Sequence, residues 1–233
     1  VVRTHSVEVT EFFDPYQQSI ISPVLPKVPG ISFIWTGGFD RAERKRLVLF
    51  PEYLESEDTD PEIKCLEITG NLKFQDLSHR DFLGSLMGLG IKRDKLGDII
   101  VTSKGCQVVT DSQIAGYIER NLTKVHRVGV HIREIAIDEL QLPEEEVREV
   151  FATVASMRLD AVAAAGFGVS RTKMADEIYA EKVKVNWLVV NDCSHAVKEG
   201  DIISIRGRGR VELDIVKGET KKGRIALNLK RFK

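Results

Sequence analysis

The stretch GFGVSRTKMADEIYAEKVKVN, Gly166 to Asn186, predicts a tight loop, a short helix and a strand. Ser170 is the expected N-cap of the helix, because a hydroxyl oxygen there accepts from unpaired backbone N–H groups. Arg171 and Lys173 then lie in the first helical turn, where the helix dipole favours anions over cations. We therefore ask whether a group outside the chain, such as a phosphate, supplies the missing negative charge.

The neighbouring segments complete a small module of helices and strands. Leu159 and Val162 mark one face of a preceding short helix, and Met174 and Ile178 mark one face of the second. Strands are expected in KVKVNW, LVVND and VKEGDIISIRG, and apolar alternation in the tail GETKKGRIALNLKRFK indicates a last strand.

Charge separates this module from the rest of the chain. Residues 156–233 carry 16 Lys and Arg against 10 Asp and Glu, whereas residues 1–155 carry 18 against 25. A basic module attached to an acidic body is typical of a protein that binds RNA or another polyanion, and a merely solvated surface is the alternative. The acidic half is a candidate surface for a protein partner. Further expected phosphate contacts in the basic module are Arg158, Lys184, Arg206, Arg208 and Arg210.

The first part of the chain, residues 1–60, predicts a small α/β unit. Asp14 and Pro15 form an N-cap and first-turn pair for a helix running toward Leu25. Strands are expected at Ile31 to Trp35 and Arg46 to Phe50. The acidic stretch ESEDTDPE, Glu55 to Glu62, is then expected to be a solvated linker.

The central part, residues 61–140, predicts a βαββαβ order. The strands are IKCLEIT, DIIVT, CQVVT and VGVHIREIAI. Ser78 is the expected N-cap of the first helix, and Asp111 or Ser112 begins the second. This order defines a ferredoxin-like, RRM-like domain. The first helix is expected to bury Phe82, Leu83, Leu86 and Met87.

RNA recognition by this central domain is not expected to use base stacking, because the strand CQVVT carries no aromatic ring. A secondary RNA contact is predicted instead in the loop GIKRDKLGD, through Lys92, Arg93 and Lys95. A solvated basic loop is the alternative for these three residues.

Residues 141–156 predict a connecting helix. Pro143 followed by Glu144, Glu145 and Glu146 is a favourable helix start, since acidic residues suit the first turn. The third domain then covers residues 157–233, and the whole chain is assigned to the α+β class. The apolar residues at helical spacing are Val147, Val150, Phe151 and Val154.

Four segments in order resemble the alpha-L RNA-binding domain named for small-subunit ribosomal protein four, the S-four or S4 domain. These are RLDAV at 158–162, SRTKMADEI at 170–178, VKVN at 183–186 and VKEGDIISI at 197–205. With FFDPYQQ, GGFDRAERKR, LSHRDFLGSLMGLGIKRDKLGDI and ISIRGRGR, the chain resembles the bacterial YlmH family along nearly its whole length.

The resemblance implies an RNA-binding protein that acts on the ribosome, with a proposed role in rescuing stalled large subunits that still carry peptidyl-tRNA. The family is often encoded near cell-division genes. S4 domains usually have Gly after the asparagine of VKVN, whereas this chain has Trp187, which either packs or stacks on a nucleotide. The positions that match RNA contacts of the S4 domain are Arg158, Ser170, Arg171, Lys173, Lys184 and Asn186.

The cysteines and the apolar segments bear on disulfides, metal sites and cellular location. Cys65, Cys106 and Cys193 are far apart, which favours buried thiols and argues against a disulfide or zinc site. No membrane helix or signal peptide is expected, so the protein is placed in the cytoplasm.

Catalysis is not expected from this sequence, and no cofactor or metal is predicted. His79-Arg80-Asp81 lacks the remaining protein-kinase motifs and marks a helix start. The triplet at 158–160 matches the RLD of pseudouridine synthases but belongs to the S4 motif. An RNA-modifying enzyme or accessory subunit, and a cell-division scaffold, stay as alternatives to structured ribosomal RNA or tRNA binding.

Overall fold

Three β-sheets organise residues 1, 5–71, 77–143 and 146–232, which the computed structural model describes. The chain divides into two units, residues 1–143 and 144–233, with two of these sheets in the first unit. Helices and strands occur in both units, which confirms the α+β class. None of the described helices is long and apolar enough to cross a membrane.

The first unit begins with a three-stranded antiparallel sheet in the order β1-β3-β2. Asp14 caps helix α1 as predicted, since its carboxylate accepts from the Gln17 N–H at 2.9 Å and the Gln17 side chain returns the bond. The helix ends at Ile21, earlier than predicted, and strand β1 was missed. The elements are β1 (Glu8–Phe13), α1 (Pro15–Ile21), β2 (Ile31–Thr36) and β3 (Lys45–Pro51).

The second sheet of this unit has the order β5-β6-β4-β8-β7. Strand β6 lies between β4 and β5 and is antiparallel to both, which is the split βαβ arrangement of a ferredoxin-like domain. The predicted βαββαβ order is therefore confirmed, with β7 as a short addition. The elements are β4 (Ile63–Gly70), α2 (His79–Gly88), β5 (Leu96–Thr102), β6 (Gly105–Asp111), α3 (Ser112–Asn121), β7 (Lys124–Val125) and β8 (Val128–Ile135).

Local signals placed both central helices correctly. Ser78 forms the capping box with Asp81, and the Asp111 carboxylate accepts from the Gln113 N–H at 2.9 Å. Helix α2 buries Phe82 and Leu86, as predicted. The predicted burial of Met87 is wrong, because its side chain is 46% exposed.

The N-terminal segment covers the face of the central sheet that lies opposite α2 and α3. Phe12 of β1 packs in one buried cluster with Cys65, Val109 and Ile135 of the central strands. On the same sheet Gln107 is 1% exposed, and its side chain donates to the Glu139 carbonyl at 3.2 Å. An RRM-like domain stacks bases on such a face, but here the chain itself occupies part of it.

Residues 1–60 and 61–140 therefore share a core within one unit. The division of the chain at residues 60, 140 and 156 stays a prediction. The predicted linker at 55–62 contains a short 3-10 turn at Ser56–Asp58.

The second unit is a six-stranded sheet in the order β11-β10-β12-β13-β14-β9, with two helices packed on one face. The core between helices and sheet includes Leu159, Met174, Ile178, Val211 and Leu229. The elements are β9 (Val147–Val154), α4 (Leu159–Phe167), α5 (Arg171–Tyr179), β10 (Val183–Val185), β11 (Leu188–Val189), β12 (Ile202–Ile205), β13 (Gly209–Glu219) and β14 (Ile225–Phe232).

The predicted connecting helix at residues 141–156 is wrong, because residues 147–154 form strand β9. Every residue of β9 pairs with β14, from Val147 opposite Phe232 to Val154 opposite Ile225. The apolar residues expected on one helical face are divided between two sheet faces: Val154 is 3% exposed and Phe151 is 65% exposed. Pairing with β14, which is distant in sequence, therefore gives residues 147–154 an extended conformation. Glu144 and Glu145 lie outside the described residues.

Candidate RNA-binding surface

The turn between α4 and α5 has the geometry that its sequence predicts. Helix α4 ends at Gly168, which is left-handed with φ 66°, and the chain enters α5 through Ser170. The Ser170 hydroxyl accepts from the Lys173 N–H at 3.2 Å, which confirms the predicted N-cap. The basic first turn of α5 is therefore real and lies directly after a tight turn.

A buried carboxylate at the start of α4 organises this turn. Asp160 is 7% exposed, and its two oxygens accept from Arg158 Nε at 3.1 Å and Arg171 Nη2 at 2.6 Å. Burial alone raises the pKa of Asp160, but the hydrogen bonds from Arg158 and Arg171 outweigh burial and hold its pKa below the ordinary value. Asp160 is therefore the ionised centre of an arginine pair.

The negative charge beside Arg171 thus comes from within the chain. From the sequence, an external phosphate was considered as the source of this charge. In the structure, the Asp160 carboxylate supplies it. The Arg158 and Arg171 side chains remain 41% and 56% exposed. Each guanidinium has five N–H donors, so both arginines keep donors for a ligand while Asp160 fixes their positions.

Lys173 and Lys184 are exposed and form no ion pair with any residue in the described part of the chain. Lys173 follows the arginine pair on α5. Lys184 lies on β10 between buried Val183 and Val185, so its side chain is on the sheet face opposite the helices. The structure therefore does not bring these two lysines onto one face.

The hairpin turn between β10 and β11 holds Asn186 in a structural role. Its side chain donates to Asp201 Oδ1 at 2.8 Å and accepts from the Ile202 N–H at 3.0 Å. Asn186 and Trp187 have φ values of 48° and 67°, as a two-residue hairpin turn of the I′ type requires. The left-handed backbone conformation of Trp187 costs about 1–2 kcal/mol relative to an ordinary conformation. Its side chain is half-buried.

The three arginines after β12 lie in different surroundings. Arg206 is exposed, and Arg208 Nη2 lies 3.4 Å from Glu177 Oε1 near the C-terminal end of α5. The Arg210 guanidinium lies 5.3 Å from the centre of the Phe232 ring, on the same sheet face as Lys184. Arg158 and Arg171, by contrast, share the Asp160 carboxylate.

The structure gives two of the three predicted loop cations of the central domain another role. Arg93 Nη1 donates to the carbonyls of Leu96 at 2.6 Å and Gly97 at 3.0 Å. Burial and then the nearby Arg44 guanidinium lower the pKa of Arg93 to about 10. Lys95 donates to Asp111 at 2.8 Å and contacts Glu11 at 2.7 Å, whereas Lys92 is exposed, and its RNA contact stays a prediction.

All three cysteines are free and buried, as predicted. Burial, with a smaller effect of the Glu134 charge, raises the pKa of Cys65 to about 11. Across the described residues, no group of three or more His, Cys, Asp or Glu side chains is arranged to hold a metal ion.

Comparison with known proteins agrees with the fold. The family model described as "S4 domain" matches residues 157–203, and the model described as "Putative RNA-binding domain in YlmH" matches residues 56–139. The fold and the basic helical turn thus define a protein of the S4 RNA-binding class.

A relative covers the whole chain. It is "Ribosome-associated protein quality control protein P2" of Bacillus subtilis (strain 168), 38% identical over 233 residues, which are 100% of this chain and 90% of the relative. The chain belongs to the YlmH family. A solved structure, "Cell division protein ylmH from Streptococcus pneumoniae", is 30% identical with a TM-score of 0.50, covering 59% of this chain and 83% of that chain.

Proposed function

We propose that the protein is a non-catalytic, cytoplasmic, ribosome-associated protein whose S4 domain binds structured ribosomal RNA or tRNA. Its place of action is the ribosomal large subunit, in the rescue and quality control of stalled subunits. The printed name of the Bacillus subtilis relative supports the ribosomal setting. The proposal requires neither a metal nor a cofactor.

The arginine pair on Asp160 carries this proposal. A carboxylate that is 7% exposed holds two half-exposed guanidinium groups beside the first turn of α5. Fixed guanidinium groups lose little conformational freedom when they bind phosphate, and helix N–H groups favour the same ligand. Such a surface recognises the shape and backbone of a folded RNA rather than a base sequence.

The test of this proposal reverses the charge of the two unpaired lysines. Lys173→Glu with Lys184→Glu is expected to weaken binding to purified ribosomal large subunits at least tenfold, and to reduce the slope of log affinity against log salt by about 2, about 1 per lost phosphate contact. Co-sedimentation at several salt concentrations measures both quantities. Arg171 is left intact, because Arg171→Glu places a second carboxylate beside Asp160.

Lys27→Glu with Lys104→Glu is the matched control. Both lysines are exposed, the charge change is the same, and both lie in the unit of residues 1–143. The control is expected to bind like the parent protein. Equal affinity and equal salt slope for the lysine variant and the parent would refute the assignment of Lys173 and Lys184.

The name of the Streptococcus pneumoniae structure keeps a cell-division scaffold as the second candidate. A scaffold is expected to retain its protein partners in a lysate treated with RNase, whereas an RNA-dependent assembly loses them. If the protein were an RNA-modifying enzyme, RNA incubated with it and a methyl donor would contain modified nucleotides by mass spectrometry.

A further inference from the structure

The β13–β14 hairpin adds a basic surface outside the segment that matches the S4 family model. That match ends at residue 203, and the hairpin spans Gly209 to Phe232. Its distal part, VKGETKKGR from Val216 to Arg224, carries four basic residues and one acidic residue, Glu219. Lys221, Lys222 and Arg224 at its tip are all exposed.

An exposed aromatic ring lies beside this hairpin. Phe151 on β9 is 65% exposed and pairs across β14 and β13 with Asn228 and then Ile215, which is 44% exposed. The Lys217 ammonium lies 4.7 Å from the centre of the Phe151 ring. The ammonium lies over one face of the exposed ring. A base that displaces it can stack on Phe151 while the ammonium contacts the phosphate of the same nucleotide.

Arg224 of the hairpin shares a cavity with Arg171 of the arginine pair. A cavity of about 290 Å³ between α4 and β9 has Arg171 and Arg224 in its lining. Arg224 is fixed across the strand pair, since its Nη2 donates to the Thr153 carbonyl at 2.6 Å and its Nε to the Thr153 hydroxyl at 3.2 Å. Arg171 of the S4 helices and Arg224 of the hairpin therefore line one cavity at the β9 edge of the sheet.

Acidic residues limit this surface toward the middle of the sheet. Glu149 on β9 and Glu212 on β13 both lie opposite Lys230, whose Nζ is 2.6 Å from Asp214 Oδ1. Those carboxylates are unfavourable for a nucleic acid, so the hairpin end of the sheet is the favoured part. We call that part the hairpin patch, and its residues are Phe151, Ile215, Lys217, Lys221, Lys222 and Arg224.

We propose that the hairpin patch binds single-stranded nucleotides next to the structured RNA held by the S4 helices. A base stacks on Phe151, and the backbone phosphates contact Lys217, Lys221 and Lys222. This proposal rests on the proposed RNA-binding function. The positive charge, the ring with its cation and the cavity that Arg224 shares with Arg171 favour RNA over a protein partner.

The experiment uses two fluorescent RNAs and the full chain. One RNA is a 12-base-pair stem-loop, and the other is the same stem-loop with a single-stranded tail of eight adenosines. The parent protein is expected to bind the tailed RNA about tenfold more tightly than the plain stem-loop, which is the contribution of one base stacked on an aromatic ring. Fluorescence anisotropy measures both affinities.

Three variants of the hairpin patch separate base stacking from charge. Phe151→Ala and Lys221→Glu with Lys222→Glu are expected to remove the tail preference while keeping the affinity for the plain stem-loop. Phe151→Trp is expected to restore the preference, because indole also stacks on bases. Since Phe151 is 65% exposed, the Ala variant is expected to unfold at the parental temperature.

The outcomes distinguish this proposal from the proposed function. If the parent binds the stem-loop and shows no tail preference, or if Phe151→Ala keeps the preference, the hairpin patch is refuted and the S4 function stands. If the parent binds neither these RNAs nor ribosomal subunits, both proposals fail. If Phe151 instead contacts a protein partner, every hairpin variant is expected to bind both RNAs like the parent, and the hairpin patch is refuted.

Discussion

Asp160→Ala is expected to lower the free energy of unfolding of the unit of residues 144–233 by about 3 kcal/mol and to weaken RNA binding at the same time. Hydrogen bonds to a charged group contribute about 1.5–3 kcal/mol, and the upper end applies because Asp160 accepts from both Arg158 and Arg171. Without Asp160 the two guanidinium groups repel each other and lose their fixed positions. Urea unfolding and stem-loop affinity measure the two effects.

Asp160→Asn serves as the control for shape, because the amide keeps the volume and loses the charge. A smaller loss of about 1–2 kcal/mol is expected for it, since hydrogen bonds to charged groups contribute about 1.5–3 kcal/mol. A parental unfolding free energy for Asp160→Ala, with parental RNA affinity, would show that the arginine pair is not organised by Asp160.

The same pair predicts a pH dependence of definite sign. The pKa of Asp160 is lower in the folded state than in the unfolded chain, where the pKa of Asp is about 3.9. Its stabilising effect is therefore fully present above that pH and is lost as the pH falls through the folded-state pKa. The stability difference between parent and Asp160→Asn is expected to be constant from about pH 7 to 5 and to shrink below about pH 4. A difference that grows on acidification contradicts the assigned direction.

Arg46→Ala is expected to lower the free energy of unfolding of residues 1–143 by about 4 kcal/mol, again because it removes a buried charge. Arg46 is 2% exposed, and it donates to the Thr10 carbonyl at 2.6 Å and the Glu62 carbonyl at 2.7 Å. Its Nη2 is also 3.6 Å from the fully buried Asp111. Substitution removes the donor to two partly buried carbonyls and leaves the buried Asp111 with Lys95 as its cationic partner.

Arg133→Ala is the matched control for Arg46→Ala. Arg133 also forms ion pairs, with Glu67 at 2.8 Å and Glu139 at 3.4 Å, but its side chain is 57% exposed. Exposed pairs contribute about 0–1 kcal/mol, so a small change is expected. Similar unfolding free energies for the two variants would contradict the structural importance of burial at Arg46.

Local chemistry in the sequence predicted helix starts and most strands. Asp14, Ser78 and Ser170 were each identified as N-caps, and Asp111 was one of two residues expected to begin its helix, because a cap is determined by residues within one helical turn. Strand β9 was mistaken for a helix, since its apolar spacing fits both periods and its partner β14 is distant in the chain.

The site was predicted only in part for the same reason. The charges of Arg171 and Lys173 were evident from sequence, but the contact between Arg171 and Asp160 spans eleven residues and depends on how two helices pack. The acidic residue in the first turn of α4 was the available signal for it. Phe151 was assigned to a helical core face, so its exposure beside Lys217 was not foreseen.

The burial of Phe12 against the central sheet has a consequence for synthesis. Phe12 leaves the ribosome first, but Val109 and Ile135, which complete its cluster, are added much later. At about 5–20 residues per second, that interval lasts about 6–25 s. During this interval Phe12 has no central sheet to pack against, so its apolar side chain stays exposed on the nascent chain.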